Sequence, residues 1–412
     1  MARVRLDSWK SIAEYLERST RTVQRWHAYH GLPVHHFGGS KGSVFGYAEE
    51  IDHWLVNLVE ETRSANMSED EALEARKKRS FELMARAQEI WEIRSEDNYS
   101  SIAGLCRKAI DQYPGNSWAY VGLANSMIMG AIEGVTDSSV AYNCAIQALR
   151  HTAQLDTEDI EAKCSAAWLN LVYERKWHQA RAGFEEVLSK QPKNSDALSG
   201  LSLLLLVEGN LADGSYYAQE AWKQNTMVCS LGALAAWSQY LAGNLELALH
   251  MIAQVRASGG SGAVIGAVEA LALIQANPPG ANIARVEFLA NESPQNQTLQ
   301  GALGYAYAVS GQTRKAGEIF RQMEQLNPMS KRSSGYALAL IRLGLGKRQE
   351  AVEWLEAAFD EGALWSIGFR SDPLLRPLGG EPRFEKLLRR AGPSNGNSLE
   401  AMSPQPYEDR AV

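Results

Sequence analysis

ARAGFEEVLSKQP at residues 180–192 and AGEIFRQMEQLNP at residues 316–328 share one residue pattern. In each stretch a small residue is followed by a bulkier one four positions later, by another three later, and by Pro five after that. This spacing places three apolar residues on one face of a helix that ends before Pro. The two stretches start 136 residues apart, which is four times 34. The sequence therefore predicts a helical unit that recurs every 34 residues.

The same register extends along most of the chain. The first anchors of successive units are spaced by 43, 35, 34, 34, 34, 34 and 35 residues. They are Ile102, Ala145, Ala180, Gly214, Ala248, Asn282, Ala316 and Ala351. The spacing of 43 indicates an insertion near residues 130–139. The alternative, an unrelated helical bundle, has no reason to keep a 34-residue register.

The register resembles the tetratricopeptide repeat, in which antiparallel helix pairs stack into a superhelix. The resemblance covers about residues 79–364 and gives about eight repeats. It implies a mainly α fold dominated by an α-solenoid, with capping helices over residues 365–392. Residues 393–412, with three prolines and few large apolar groups, are expected to be disordered.

The composition is that of a soluble protein, with 45% hydrophobic and 22% charged residues in 412. The cysteines lie far apart and form no CxxC pair, so the sequence indicates neither a disulfide framework nor a zinc site. The uncharged run at residues 224–245 is long enough to span a bilayer, but polar residues interrupt it and the repeat explains it. We expect a cytoplasmic protein without membrane contact.

Charge is distributed unevenly along the chain. Residues 1–47 hold seven basic and three acidic residues, a net charge of +4, whereas the whole chain carries -7, which leaves -11 for the remainder. Only the N-terminal segment therefore suits a polyanionic partner such as nucleic acid.

STRTVQRWHAY, residues 19–29, predicts a short amphipathic helix with a basic and amide face. Ser19 stands where an N-cap belongs, and the helical period places Val23, Trp26 and His30 toward the core. The opposite face carries exposed polar and small residues. They are Thr20, Arg21, Thr22, Gln24, Arg25 and Ala28.

The flanking segments complete a compact unit. An amphipathic helix over DSWKSIAEYL, residues 7–16, precedes the basic helix, and ten residues separate Ala13 from Val23, as in a helix-turn-helix. Two β-prone pieces surround a Gly-rich turn with Lys41 at its tip, which predicts a wing. A third helix is expected from about Ala48.

Residues 6–58 resemble the winged helix-turn-helix of the mercury-resistance-regulator (MerR) and excisionase superfamily, especially the version fused to helical repeats in soil bacteria. The string W-x2-IA-x-YL-x2-S-x-RTVQRW-x4-GLPVHH carries the resemblance. It implies that residues 1–58 bind double-stranded DNA, with Arg21, Gln24 and Arg25 on bases and phosphates and Lys41 as the wing contact. Glu17 stands where many relatives have Gly, so it must hold a conformation that Gly accepts more easily.

Two other interpretations of this segment are open. The basic face is alternatively a solvated helix surface or a protein contact, because helix-turn-helix folds are also reused in that way. The histidines between residues 27 and 36 could suggest a metal site, but no thiolate or carboxylate completes a tetrahedral set nearby. We therefore expect no metal and no cofactor.

The predicted solenoid has an inner groove to which position nine of each unit usually contributes. The residues at position nine of six successive units form the candidate partner-binding set. They suit an apolar peptide, a partner helix or the chain's own flanking segments. They are Leu169, Leu203, Trp237, Leu271, Tyr305 and Leu340. The alternative is that they pack between repeats.

Two classes of function follow. In the first, a DNA-binding transcriptional regulator (residues 1–58) is joined by a charged linker (residues 59–78) to a solenoid for protein interaction, dimerisation or sensing. Because one winged unit makes few contacts, this class favours a homodimer. In the alternative, the chain is a scaffold whose N-terminal unit contacts protein. No phosphate loop, HExxH motif or carboxylate pair placed with a base indicates an enzyme.

Overall fold

A computed structural model describes most of the chain. The described residues are 4–36, 43–66, 68–93, 98–133, 135–260, 262–278, 280–326, 334–360 and 364–392. They fold mainly as α-helix and divide into two compact units, Met1–Arg79 and Ser80–Val412. No helix in these ranges is long and apolar enough to cross a membrane.

In its described residues, the first unit contains three strands and three helices, followed by the start of a fourth helix. The strands are β1 (Arg5–Leu6), β2 (His35–His36) and β3 (Val44–Tyr47), and the helices are α1 (Trp9–Tyr15), α2 (Thr20–His30), α3 (Ala48–Asn66) and α4 (Glu69–Trp91).

The second unit contains helices in pairs. They are α5 (Tyr99–Gln112), α6 (Ser117–Ile132), α7 (Ser138–Leu155), α8 (Ile160–Leu169), α9 (Trp177–Lys190), α10 (Ser195–Glu208), α11 (Leu211–Gln224), α12 (Cys229–Leu241), α13 (Leu245–Ala257), α14 (Ala263–Ala276), α15 (Ile283–Glu292), α16 (Gln297–Val309), α17 (Thr313–Leu326), α18 (Gly335–Gly344), α19 (Arg348–Asp360) and α20 (Pro382–Ala391).

The first unit is built around a small apolar core with capped helices. Ile12 of α1, Val23 of α2 and Ile51 of α3 are fully buried and meet in one cluster. Strand β3 lies between β1 and β2 and pairs with both in antiparallel fashion. The predicted cap of α2 is confirmed, because the Ser19 hydroxyl accepts a hydrogen bond from the Thr22 amide at 3.2 Å.

Glu17, in the turn between α1 and α2, has the left-handed backbone conformation expected from the sequence. Its φ is 52°, and Arg175 is the other non-glycine residue with positive φ in the described chain. A side chain in this region costs about 1–2 kcal/mol, since Cβ approaches the following carbonyl oxygen.

We therefore expect Glu17→Gly to stabilise the first unit by about 0.5–1 kcal/mol, because relief of strain exceeds the added entropy of the unfolded chain. Native-state hydrogen exchange of the Val23 amide measures the change. Glu14→Gly, inside α1, is the control and should destabilise the unit by about 1 kcal/mol. Equal destabilisation by both changes would contradict the strain at Glu17.

The 34-residue register corresponds to real helix pairs in the second unit. In the described residues, eight pairs follow one another from α4/α5 to α18/α19. Seven of the eight predicted anchors lie in the second helices of these pairs, and Asn282 is the N-cap residue of α15. In α9, Ala180, Phe184 and Val187 are each fully buried, and the equivalent residues of α17 are at most 3% exposed. First helices of successive pairs also contact one another, as α14 contacts α12 and α16. The prediction of a helical-repeat solenoid is confirmed.

Three further segments that the sequence singles out have the following structure. The predicted linker at 59–78 is largely helical, because α3 continues to Asn66 and α4 begins at Glu69. The insertion near 130–139 is absorbed partly as helix, since α6 and α7 have 16 and 18 residues where most others have 13 or 14. The third segment, residues 364–378, follows the last helix pair and also packs against helices α12 and α18. Residues 393–412 lie outside the described residues.

Candidate functional site

The first candidate surface is the exposed face of α2. Thr20, Arg21, Gln24, Arg25 and Ala28 are all exposed, whereas Thr22 is half-buried. The Thr22 hydroxyl lies 2.8 Å from the Ser19 hydroxyl, so Thr22 contributes to the helix cap. We call Arg21, Gln24 and Arg25 the α2 face, because their spacing places them within about one helical turn.

Several acidic side chains of the first unit have partners of their own. Asp7 pairs with Arg5 at 2.7 Å, and Glu50 lies 2.7 Å from His35. Asp52 accepts a hydrogen bond from the Tyr15 hydroxyl at 2.8 Å. This bond is the first cause of a raised pKa for Tyr15. No described residue pairs with the guanidinium group of Arg21 or Arg25. The positive charges of Arg21 and Arg25 on α2 are therefore not neutralised by a described residue.

The remaining N-terminal candidates behave differently. Lys41, the predicted wing contact, lies outside the described residues. The expectation that His30 faces the core is wrong: its side chain is exposed, and its carbonyl accepts a hydrogen bond from Trp54 Nε1 at 2.7 Å. The helix ends at this residue before Gly31 takes the left-handed conformation, so the helical period no longer directs the side chain inward. No metal-binding cluster of His, Cys, Asp or Glu occurs among the described residues.

The second candidate surface is the face formed by the first helices α8, α10, α12, α14, α16 and α18, here called the inner face. Five of the six predicted groove residues are at most 7% exposed, and only Tyr305 is half-buried. The five are Leu169, Leu203, Trp237, Leu271 and Leu340. Their side chains pack inside the unit, which favours the packing alternative, and a partner contact through them stays a prediction.

Residues 364–378 cover part of the inner face. The Trp365 ring lies 5.4 Å from the ring of Trp237 in an edge contact and 5.6 Å from that of Tyr336 in a stacked contact. The Phe369 ring also stacks on the Tyr336 ring, with the two centroids 6.0 Å apart. Because α12 and α18 lie three pairs apart yet reach the same segment, the first helices curve around it. The sequence allowed for the chain's own flanking segment in this groove, and the structure has one there.

A buried carboxylate fixes this segment. Asp372 is 5% exposed and accepts hydrogen bonds from the hydroxyls of Tyr240 at 2.6 Å and Tyr336 at 2.5 Å, and from the Leu374 amide at 2.9 Å. Burial raises the pKa of Asp372, and the three donors oppose that rise. Nothing in the local sequence pattern around Asp372 indicates these contacts, because its tyrosine partners lie 132 and 36 residues away.

A cavity of about 730 Å³ opens near the start of the second unit. Helices α4, α5 and α6 line one side, and Glu161, Asp196 and Asn225 line the other. Burial raises the pKa of the Cys106 thiol in its lining to about 12, so the thiol stays protonated and weakly nucleophilic. Sequence reasoning missed this cavity. The half-buried Trp91 and Trp118 near the start of the array are the one signal that could have drawn attention to it.

Comparison with known proteins shows a similarity of fold alone. No family model matches the chain, and no curated protein matches it. Among solved structures, the APC/C hetero-tetramer Cut9-Hcn1 is similar over 75% of this chain and 55% of that one, with a TM-score of 0.50 and 15% identity. This chain thus spans about half the length of that relative.

Two further solved structures are more distant. Yeast Tom70 matches 78% of this chain and 69% of its own, with a TM-score of 0.39 and 12% identity. A tetratricopeptide repeat protein from Parabacteroides merdae matches 73% of this chain and 99% of its own, with a TM-score of 0.33 and 13% identity. At 15% identity, the similarity to Cut9-Hcn1 concerns the fold alone.

Proposed function

We propose that the protein is a cytoplasmic, non-enzymatic regulator that binds double-stranded DNA through residues 1–58 and holds a protein partner on the helical array. The observation that carries the proposal is the α2 face. Two guanidinium groups and one amide stand exposed within about one turn, and no described residue neutralises the guanidinium groups.

The chemistry of the α2 face suits a base edge in the major groove. Arg can donate two parallel hydrogen bonds to guanine or pair with a phosphate, and Gln can pair with adenine. The N-terminus of α2, capped by Ser19, adds the positive end of the helix dipole close to Arg21.

The order of elements supports the same proposal. The left-handed turn at Glu17 joins α1 to α2, and strands β2 and β3 form an antiparallel hairpin. This is the order that a winged helix-turn-helix requires. Lys41, between the two strands in the sequence, is the proposed wing contact. Because one such unit offers few base contacts, we propose that a homodimer reads paired half-sites.

A second candidate function is a scaffold whose N-terminal unit contacts protein. The observation that favours it is the extent of the repeat array, since eight helix pairs occupy most of the described chain. Solenoids of this kind expose long surfaces for protein binding. In this proposal the α2 face meets an acidic protein surface.

Binding to duplex DNA, together with its salt dependence, separates the two candidates. We expect the affinity of the full chain for a mixed-sequence duplex to fall about tenfold or more between roughly 50 and 200 mM salt, because each neutralised phosphate releases counterions. Fluorescence anisotropy with a labelled duplex measures the slope. A slope near zero, or no binding at low salt, would favour the scaffold.

A further inference from the structure

The turn between the two helices of the third pair, α8/α9, departs from the turns of later pairs. In four later pairs, a glycine with φ between 74° and 84° lies five residues before the first anchor. These glycines are Gly209, Gly243, Gly311 and Gly346. At the equivalent position, five residues before Ala180, the third pair has Arg175 with φ 52°. An arginine therefore occupies a glycine position of the repeat, with the same kind of backbone strain as Glu17.

The backbone before Arg175 is also irregular. Asn170–Glu174 form a π-helical turn at the end of α8. Such turns are rare and occur frequently at functional sites. The Glu174 carboxylate accepts a hydrogen bond from the Tyr142 hydroxyl at 3.0 Å and forms an ion pair with Lys176, so neighbouring side chains hold the turn. Two departures from regular geometry thus coincide at Arg175, and backbone strain of this kind clusters at positions with a function.

The Arg175 side chain contacts the last pair of the array. Its guanidinium group donates a hydrogen bond to the carbonyl of Phe359, which lies 184 residues later in the chain. The same group lies over the Phe359 ring, 3.7 Å from the ring centroid. Phe359 belongs to the last turn of α19, where carbonyls have no amide partner within the helix and a cation is favoured. The contact therefore joins the third pair to the eighth pair, α18/α19.

Residues 364–378 connect the same two parts of the array. Residues 364–368 contact both α10 and α19. The Asp372 carboxylate accepts hydrogen bonds from Tyr240 of α12 and Tyr336 of α18. The segment thus has partners in the fourth and fifth pairs and in the eighth pair. Because each pair of a solenoid packs on its neighbours, a motion that separates the third pair from the eighth also separates these two sets of partners.

We propose that Arg175 is a clasp that closes the helical array around residues 364–378, and that the array opens when this clasp is released. In the closed array, Trp365 packs on Trp237 and Tyr336 and covers these rings of the inner face. In the open array, the two rings are uncovered and can meet an apolar segment of a protein partner. The clasp therefore controls access to the inner face. Access by a partner rests on the proposed function, in which the array holds a protein, whereas the opening itself does not.

The test is Arg175→Gly in the full chain, because glycine suits this position of the repeat. We expect the Asp372 amide to exchange its hydrogen about tenfold or more faster in this variant. That amide donates to the Gly368 carbonyl at 2.9 Å, so it exchanges when the segment opens. The variant lacks a hydrogen bond from a charged donor and a cation–π contact, which together correspond to about a factor of ten or more in the opening equilibrium. Hydrogen exchange followed by NMR measures the rate.

Three comparisons assign the effect to the clasp. The Val187 amide in α9 should exchange no faster in Arg175→Gly, because glycine relieves the strain of the turn and the helix pair keeps its packing. Arg175→Asn should accelerate exchange at Asp372 as Arg175→Gly does, since asparagine accepts the left-handed conformation but is too short to reach Phe359. Glu17→Gly relieves the same kind of strain in the first unit and should leave exchange at Asp372 unchanged.

Three results would overturn the inference. The first is an equal exchange rate of the Asp372 amide in the unaltered chain and in Arg175→Gly. The second is an Arg175→Asn variant that behaves as the unaltered chain does. The third is an equal acceleration at Asp372 and Val187, which would indicate that the second unit unfolds as a whole.

Failure of the clasp is distinguishable from failure of the proposed function, because the exchange experiment contains neither DNA nor a protein partner. Arg175 lies in the second unit, so Arg175→Gly should bind duplex DNA as the unaltered chain does. A chain that binds DNA but does not open in Arg175→Gly would lose only the clasp. A chain that opens in this variant but binds neither DNA nor a protein would keep the clasp and lose the regulator.

Discussion

Replacing Arg21 and Arg25 together by Ala should lower the affinity of the full chain for its DNA site by about a hundredfold. Each side chain is expected to contribute about 1–3 kcal/mol if it contacts a base edge or a phosphate. Both are exposed and lie on a helix that Ala favours, so the fold should be kept. Genome-wide footprinting measures occupancy, and circular dichroism measures helix content.

A matched control separates specific contact from loss of charge. Arg348 and Arg389 are exposed on the second unit, and their replacement by Ala removes the same net charge. We expect DNA occupancy to change little in this control. Unchanged occupancy in the Arg21 and Arg25 variant, or an equal loss in both variants, would remove the α2 face from the DNA contact and favour the scaffold.

The parts of the fold that follow from local pattern could be predicted from the sequence. The register of Ala180, Phe184 and Val187 marks a buried helical face, and burial depends on the apolar period rather than on any distant partner. The cap at Ser19 and the turn at Glu17 are likewise set by neighbouring residues. The prediction that His30 faces the core was wrong for a related reason, because the helical period directs side chains only while the helix continues.

The contacts that shape the inner face could not be predicted, because they join residues far apart in the chain. Trp237 has the position of a groove residue in its own repeat, and Trp365 of the returning segment 364–378 packs on it. The cavity residues Glu161 and Asp196 come from two different pairs, and no single repeat contains the site. A repeat register gives the position of each helix but not the curvature that brings distant pairs together.

Replacing Asp372 by Ala should lower the free energy of unfolding of the second unit by about 3 kcal/mol. The hydroxyls of Tyr240 and Tyr336 would lose their acceptor inside the unit, and each unsatisfied buried hydroxyl costs about 1–3 kcal/mol. The cap on residues 373–378 would also be lost, at about 1 kcal/mol, and relief of the buried charge offsets part of the total. Urea unfolding followed by circular dichroism measures the change.

The pH dependence of Asp372→Asn tests whether the carboxylate itself is responsible. Burial raises the folded-state pKa of Asp372 above its ordinary value of 3.8, so protonation favours the folded chain. This contribution is fully present below pH 3.8 and is lost as the pH rises through the folded-state pKa. The unaltered chain should therefore gain stability relative to the Asn variant between about pH 7 and pH 4.

Asp360→Asn is the control variant. It removes an exposed partner of Arg390 and should lower the free energy of unfolding by at most about 1 kcal/mol. If the free energy of unfolding of the unaltered chain does not rise relative to that of the Asp372→Asn variant on acidification, burial does not raise the pKa of Asp372.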